Sequence, residues 1–170
     1  MKTVLISECS DYNIPHTALL DLSTIKVKGC IGCWTCWWKT PGKCIQHDLD
    51  DFYRSYLNSD KAIFIAKLEN GFISGNMKSL FDRMIPHFLP YCAFANGGTM
   101  HMPRYKKYPD IEFYYDYQFE NQDVYNIFFD YINKVFTQFY SKNILIKNVS
   151  DFNTRRERNE NNNLERLAQR

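Results

Sequence analysis

Short apolar, β-branched runs recur along this chain with amphipathic stretches between them, and that alternation restricts it to few architectures. Residues 2–7, 62–66, 111–115 and 143–149 read as buried strands, and 17–22 as a weaker one. Between the last two strong strands, Val124, Ile127, Phe128, Tyr131, Ile132, Val135, Phe136 and Phe139 fall on one face of a helix over 121–140. A second helix is expected from Met77 to Leu89, kinked at Pro86, after a loop over 71–76. A short helix ends near Leu57, with Asp48 as its N-cap and Asp50 and Asp51 in its first turn. Residues 92–110, with Gly97, Gly98, Pro103 and Pro109, read as a long irregular segment. Strands alternating with helices imply a parallel sheet covered on both faces, and five such strands suit the order 2-1-3-4-5.

The chain has 170 residues, enough for one domain with one core. We read 1–150 as that domain and 151–170 as a polar tail. A net charge of +2 gives no electrostatic case for nucleic acid or a membrane surface. The first residues carry no long apolar region, so a cytoplasmic location is expected, where structural disulfides are disfavoured. Only residues 8–16 separate the first two strands, so the usual first helix of such a fold is missing. The sheet face it would cover needs another cover: the tail, through Leu164 and Leu167, or a partner subunit.

Chemistry concentrates in one stretch. Cys30, Cys33, Cys36 and Cys44 fall within fifteen residues, the last after a Pro41-Gly42 turn. Thiols that converge can hold an iron–sulfur cluster or zinc, exchange disulfides, or pack as small apolar groups. Trp34, Trp37 and Trp38 crowd the same loop and are expected to line an interface. Cys9 and Cys92 are expected to be ordinary buried or half-buried thiols. His16, His47, His87 and His101 show no metal-ligand spacing, and His47 is expected near a helix cap.

The run Lys28-Gly29-Cys30 through Cys44 and His47-Asp48 resembles the cysteine loop of flavodoxin-like NAD(P)H-dependent FMN reductases. Its spacing also resembles the compact cluster motif of iron–sulfur flavoproteins. Gly71 to Lys78, Phe81 to Pro86 and Pro103 to Pro109 are similar to later segments of the same family, so the resemblance covers about 17–149. It implies a flavodoxin-like three-layer sandwich. It implies FMN at the carboxyl ends of the strands, its phosphate held by the loop after the first strand (Asn13, Thr17) and its ring lying against the loop after the third (Lys67, Leu68, Glu69, Asn70, Gly71, Ser74). It further implies a 4Fe–4S cluster on Cys30, Cys33, Cys36 and Cys44, and NAD(P)H as electron donor, with Arg104, Lys106 and Lys107 available to its phosphates. The chain departs from the pattern where Lys67 and Glu69 replace a proline and an aromatic, and where the first helix is absent.

Two functions follow. One is a flavin-dependent oxidoreductase or electron carrier with the cysteine loop at its active edge, acting on a small redox substrate or a redox protein. The other is a non-catalytic subunit that has lost FMN and pairs with a related flavoprotein. A homodimer or such a heterodimer is expected in either case.

Overall fold

A computed structural model describes residues 1–10, 12, 14–95 and 97–151. Five strands, β1 (Thr3–Ser7), β2 (Ala18–Asp21), β3 (Lys61–Glu69), β7 (Asp110–Asp116) and β8 (Ile144–Asn148), form a parallel sheet in the order β2-β1-β3-β7-β8. This is the 2-1-3-4-5 order expected from the sequence. In it the chain steps outward one way from β1 to β2 and the other way through β3, β7 and β8. A short β4 (Phe72–Ile73) folds back antiparallel on the end of β3.

Each strand sorts its side chains by parity, and the two faces have different covers. Val4, Ile6, Ala62, Phe64, Ala66, Phe113 and Tyr115 face one side. There they meet α2 (Asp50–Leu57), α3 (Gly75–Asp82) and α4 (Gln122–Gln138) in one continuous core. Aromatic rings dominate it: Phe64 lies 5.0 Å from Phe136 and 6.0 Å from Phe81. The other face carries Leu5, Ile63, Ile65 and Tyr114, against which Ile14 and Val149 pack. No helix occurs between β1 and β2 among the described residues, as the sequence implied. The tail residues Leu164 and Leu167, proposed as a cover, lie outside the described residues.

Four local expectations change. Asp48 does not cap α2; Leu49 stands at the N-cap, and the Asp48 carboxylate is drawn instead to Arg83. The helix after the third strand ends at Asp82, and Pro86 sits in a 3-10 turn, Ile85–His87, because its ring cannot continue an α-helix. Phe88 and Leu89 then belong to β5 (Phe88–Ala95), which pairs antiparallel with β6 (Gly98–Pro103). The supposedly irregular 92–110 segment is therefore largely a hairpin. Gly97 takes a φ of 78° at its turn, and the register shifts between Phe88 and Cys92, a stretch containing the donor-less Pro90. The 71–76 loop is a tight turn at Asn70-Gly71, both left-handed, followed by β4 and the Ser74 cap of α3.

Candidate functional site

The cysteine loop hangs on α3, and two side chains of that region fix its course. Asn76, in the first turn of α3, accepts from Val27 N–H at 2.8 Å and donates to the carbonyls of Leu22 and Ile25 at 3.1 and 2.8 Å. Arg83, just past the other end of α3, donates to Lys28 O at 2.9 Å and pairs with Asp48. One guanidinium thus ties both ends of the loop, Lys28 and Asp48, to one point. Its side chain is 1% exposed. Burial acts to lower the Arg83 pKa, but the Asp48 bond together with the charges of Tyr53, Cys44 and Asp48 outweighs it and Arg83 is held charged. Burial also acts to raise Asp48, and Arg83 overcomes this, holding the carboxyl below its ordinary range.

From Lys28 to Asp48 the chain makes a compact knot. Gln46 Nε2 donates to Gly29 O at 3.0 Å, and Gly42, at φ 82° in the expected Pro-Gly turn, donates to Cys36 O at 3.0 Å. Trp34, at φ 58°, takes a left-handed conformation that costs a bulky residue about 1–3 kcal/mol. It opens the single helical turn α1 (Thr35–Trp38). Trp37 anchors the knot, donating to Phe88 O at 3.1 Å and packing on His101 at 4.9 Å. Trp34 and Trp38 point outward, 65% and 73% exposed.

All four thiols border one apolar cavity of about 220 Å³, whose wall also includes Trp34, Trp37, Arg83, Ile85 and Pro86. Cys36 and Cys44 are half-buried, Cys30 and Cys33 exposed. Burial, then the neighbouring Cys44, Cys33 and Cys30, push the Cys36 thiol up. The hydroxyl and N–H of Thr35 pull Cys33 down. As the side chains stand, no three His, Cys, Asp or Glu among the described residues are close enough together to hold a metal ion. The donor set itself suits a cluster: four thiolate precursors around one apolar cavity, with a fixed cation in its wall.

This cavity does not lie where the sequence placed it. α3 starts beside the carboxyl end of β3, and an eight-residue helix is about 12 Å long. The loop follows α3 from Asn76 to Arg83, so the cysteines sit by its far end, in the helical layer and away from the carboxyl edge.

The residues proposed for FMN are dispersed or committed elsewhere. Thr17 exchanges hydrogen bonds with Thr3, at the amino end of β1, so it is remote from the edge. Asn13 lies outside the described residues. Leu68 points into the core and is 6% exposed. Asn70 and Gly71 form the hairpin tip, and a Cβ on Gly71 would stand 3.0 Å from Val124 Cγ1. Glu69 is exposed, and Lys67 presents its N–H to Glu8 at 3.0 Å. Ser74 donates to Glu8 and accepts from Met77 N–H at 3.0 Å. These residues do not fit FMN in the family's manner: the helix that would offer its amides to the phosphate is absent, and the Glu8 carboxylate already holds the Lys67 N–H and the Ser74 hydroxyl against which the ring would lie. Arg104 donates to Pro86 O and Phe88 O, and Lys107 pairs with Asp60 beside the amino end of β3, so neither stands at the edge.

Sequence reasoning missed Glu8 and Arg83. Arg83 follows an amphipathic helix and looks solvated; only its position before the buried turn at Pro86 hinted otherwise. Of the isolated thiols, Cys9 is half-buried as expected, but Cys92 is exposed, 3.5 Å from His101 Nδ1. His47 pairs with Asp50 in the first turn of α2, close to the expected capping role.

No protein-family model matches the chain. Over 67 residues it is 34% identical to an iron–sulfur flavoprotein of Archaeoglobus fulgidus, a match covering 39% of this chain and 30% of that protein. In three dimensions it is similar to an azoreductase of Bacillus anthracis strain Sterne, with a TM-score of 0.55 and 13% identity over 99% of this chain and 98% of the other. The azoreductase AzrA gives a TM-score of 0.56 at 12% identity, over 93% and 92% of the two chains. An FMN-dependent NADH-azoreductase of Bacillus anthracis strain Ames Ancestor, solved with FMN, gives 0.52 at 11%, over 87% and 86%. The structural likenesses establish the flavodoxin-like fold. No helix among the described residues is long and apolar enough to cross a membrane.

Proposed function

We propose that this chain, a divergent relative of the flavodoxin-like FMN reductases and iron–sulfur flavoproteins, is a redox protein that works through its cysteine loop. Its reaction class is that of the flavin-dependent oxidoreductases, and its own part is electron transfer. The observation that carries this reading is the single apolar cavity bordered by Cys30, Cys33, Cys36 and Cys44. Cys30, Cys33, Cys36 and Cys44 would hold a 4Fe–4S cluster, which supplies one-electron chemistry when bound. The remaining work falls to residues that are in place. Trp37, Ile85 and Pro86 supply apolar wall beside the half-buried Cys36 and Cys44. Arg83 offsets thiolate charge and holds the loop's ends, and Thr35 favours the thiolate of Cys33. The six cysteines, none of them in a disulfide, suit a reducing compartment such as the cytoplasm.

The same cavity is lined by exposed Ile31, Trp34 and Ile45, and the exposed Trp38 lies on the adjoining α1. That rim favours a protein partner, either a second copy or a related flavoprotein that brings the FMN and the NAD(P)H chemistry. Reconstitution with iron and sulfide without oxygen tests the reading. A brown chromophore bleached by dithionite, absent from Cys36→Ser and Cys44→Ser, is expected. A colourless protein that takes up zinc but no iron would refute it.

A further inference from the structure

We propose that the ligand crevice at the carboxyl edge of this sheet is closed by the chain's own Glu8, which excludes FMN from it.

In an open parallel sheet, ligands bind outside the carboxyl ends of the strands where the strand order reverses. Here the reversal lies between β1 and β3, since β1 leads outward to β2 and β3 leads outward to β7. Glu8 follows β1 directly. Its N–H continues the ladder, donating to Ile65 O at 2.9 Å. Its carboxylate then crosses the gap, accepting from Lys67 N–H at 3.0 Å and from the Ser74 hydroxyl. Ser74 is the N-cap of α3, so the carboxylate sits at the positive end of that helix. Helix N-termini of this kind accept phosphates for the same reason.

The chain holds Glu8 in this place. Ser7 Oγ donates to Cys9 O at 2.6 Å and accepts from Cys9 N–H at 3.1 Å, a tight turn that starts the segment replacing the missing helix. The site also tolerates a cost. Burial, with help from the nearby Glu69 charge, pushes the Glu8 carboxyl up despite the Ser74 hydroxyl and the Lys67 N–H. A flavin ring laid against the loop after β3 would have to displace this carboxylate from Lys67 N–H and Ser74, and the FMN phosphate would approach the charges of Glu8 and Glu69 with no helix after β1 to receive it. The inference concerns the opposite end of α3 from the cysteines. A protein without iron would remove the cluster reading and leave this one standing.

FMN itself is the probe, read by quenching of its fluorescence and by retention after desalting. Wild-type protein is expected to retain none. Glu8→Ser, checked by circular dichroism for its fold, should bind FMN at least about tenfold more tightly than wild type. Glu8→Gln keeps the side chain's reach to Ser74 and loses its charge, so it should gain less, yet measurably. Stoichiometric FMN in the wild type would overturn the proposal, as would folded variants no better than wild type. Should Glu8→Ser not fold, Glu8→Gln decides alone, a gain in affinity supporting the proposal and none overturning it. Hydrogen exchange at the Lys67 amide needs no variant: slow exchange in the wild type is expected, and fast exchange would refute the latch.

Discussion

His87 should make this fold lose stability between mildly and strongly acid pH in a way one substitution abolishes. The ring is 0% exposed, lies flat against Tyr56 at 5.5 Å and edge-on to Tyr53 at 4.9 Å. Neither ring nitrogen has a hydrogen-bond partner. Burial, then the Arg104 charge, lowers its pKa from 6.5 to about 3. The folded state therefore refuses a proton that the unfolded state accepts below about pH 6.5. The stability at stake is fully present above that pH and drains away as pH falls toward 3. The slope is about 1.4 kcal/mol per pH unit, so about 3 kcal/mol is gone at pH 4.5, against a total near 5–15 kcal/mol for a domain of this kind. His87→Phe keeps the stack on Tyr56 and removes the titration. Urea unfolding of both proteins at about pH 7, 5.5 and 4.5 isolates the effect, since the carboxylates titrate alike in each. The stability difference should start near zero and widen in favour of His87→Phe as pH falls. A difference that stays constant with pH would refute the reasoning.

Arg83→Met should destabilise the fold by about 2–3 kcal/mol, the lower side of what breaking a buried ion pair costs, because Asp48 is partly solvated; chemical denaturation reads it, and a loss under about 0.5 kcal/mol would contradict the keystone role. Asn76→Ala removes three hydrogen bonds to the segment entering the cysteine loop and should cost about 1–3 kcal/mol, with faster amide exchange at Val27. Gly71→Ala combines a φ of 77° with a close approach to Val124, and a thermal melt should show about 1–2 kcal/mol lost. Cys33 should be alkylated by iodoacetamide at neutral pH faster than Cys36, as exposure and Thr35 favour its thiolate; equal rates by mass spectrometry would count against the loop geometry.

The sheet was readable because its strands are long apolar runs whose order follows from chain direction and helix-length connections. α4 was readable for the same reason, with Asn121 capping it as an N-terminal Asn should. The β5–β6 hairpin was not. Phe88 and Leu89 continue the helical spacing of Met77 to Ile85, and only Pro86 separates the two periodicities. The site divided likewise. Four closely spaced cysteines announce convergence on their own, so the loop was found. Its position was not, because that depends on Asn76 and Arg83, which bond to residues 49–55 positions away in sequence. Glu8 escaped notice because a lone carboxylate after a strand carries no local pattern; its meaning lies in Lys67 and Ser74, far along the chain.

The missing helix and the Glu8 contact are best understood as one structural change. In a sheet of this order, a helix after β1 would present its own amides at the carboxyl edge, and the edge would need an anion from outside. Without that helix, the polar groups left there are the N–H of Lys67 and the hydroxyl of Ser74 at the start of α3. A buried donor without an acceptor costs about 1–3 kcal/mol, and Ser74 is buried, so an acceptor from within the chain is stabilising there. Glu8 is that acceptor, for Ser74 and for Lys67 N–H alike. At the far end of α3 the balance runs the other way. There the open surface is apolar, the thiols of Cys30 and Cys33 reach solvent, and the Arg83 guanidinium has one buried nitrogen, Nε, with no partner. A region built like this is incomplete alone, whereas at the edge these two donors have their acceptor. Taken together, the two proposals place the function of this molecule at the far end of α3, where its cysteines gather, and not at the end where its fold ordinarily binds a ligand.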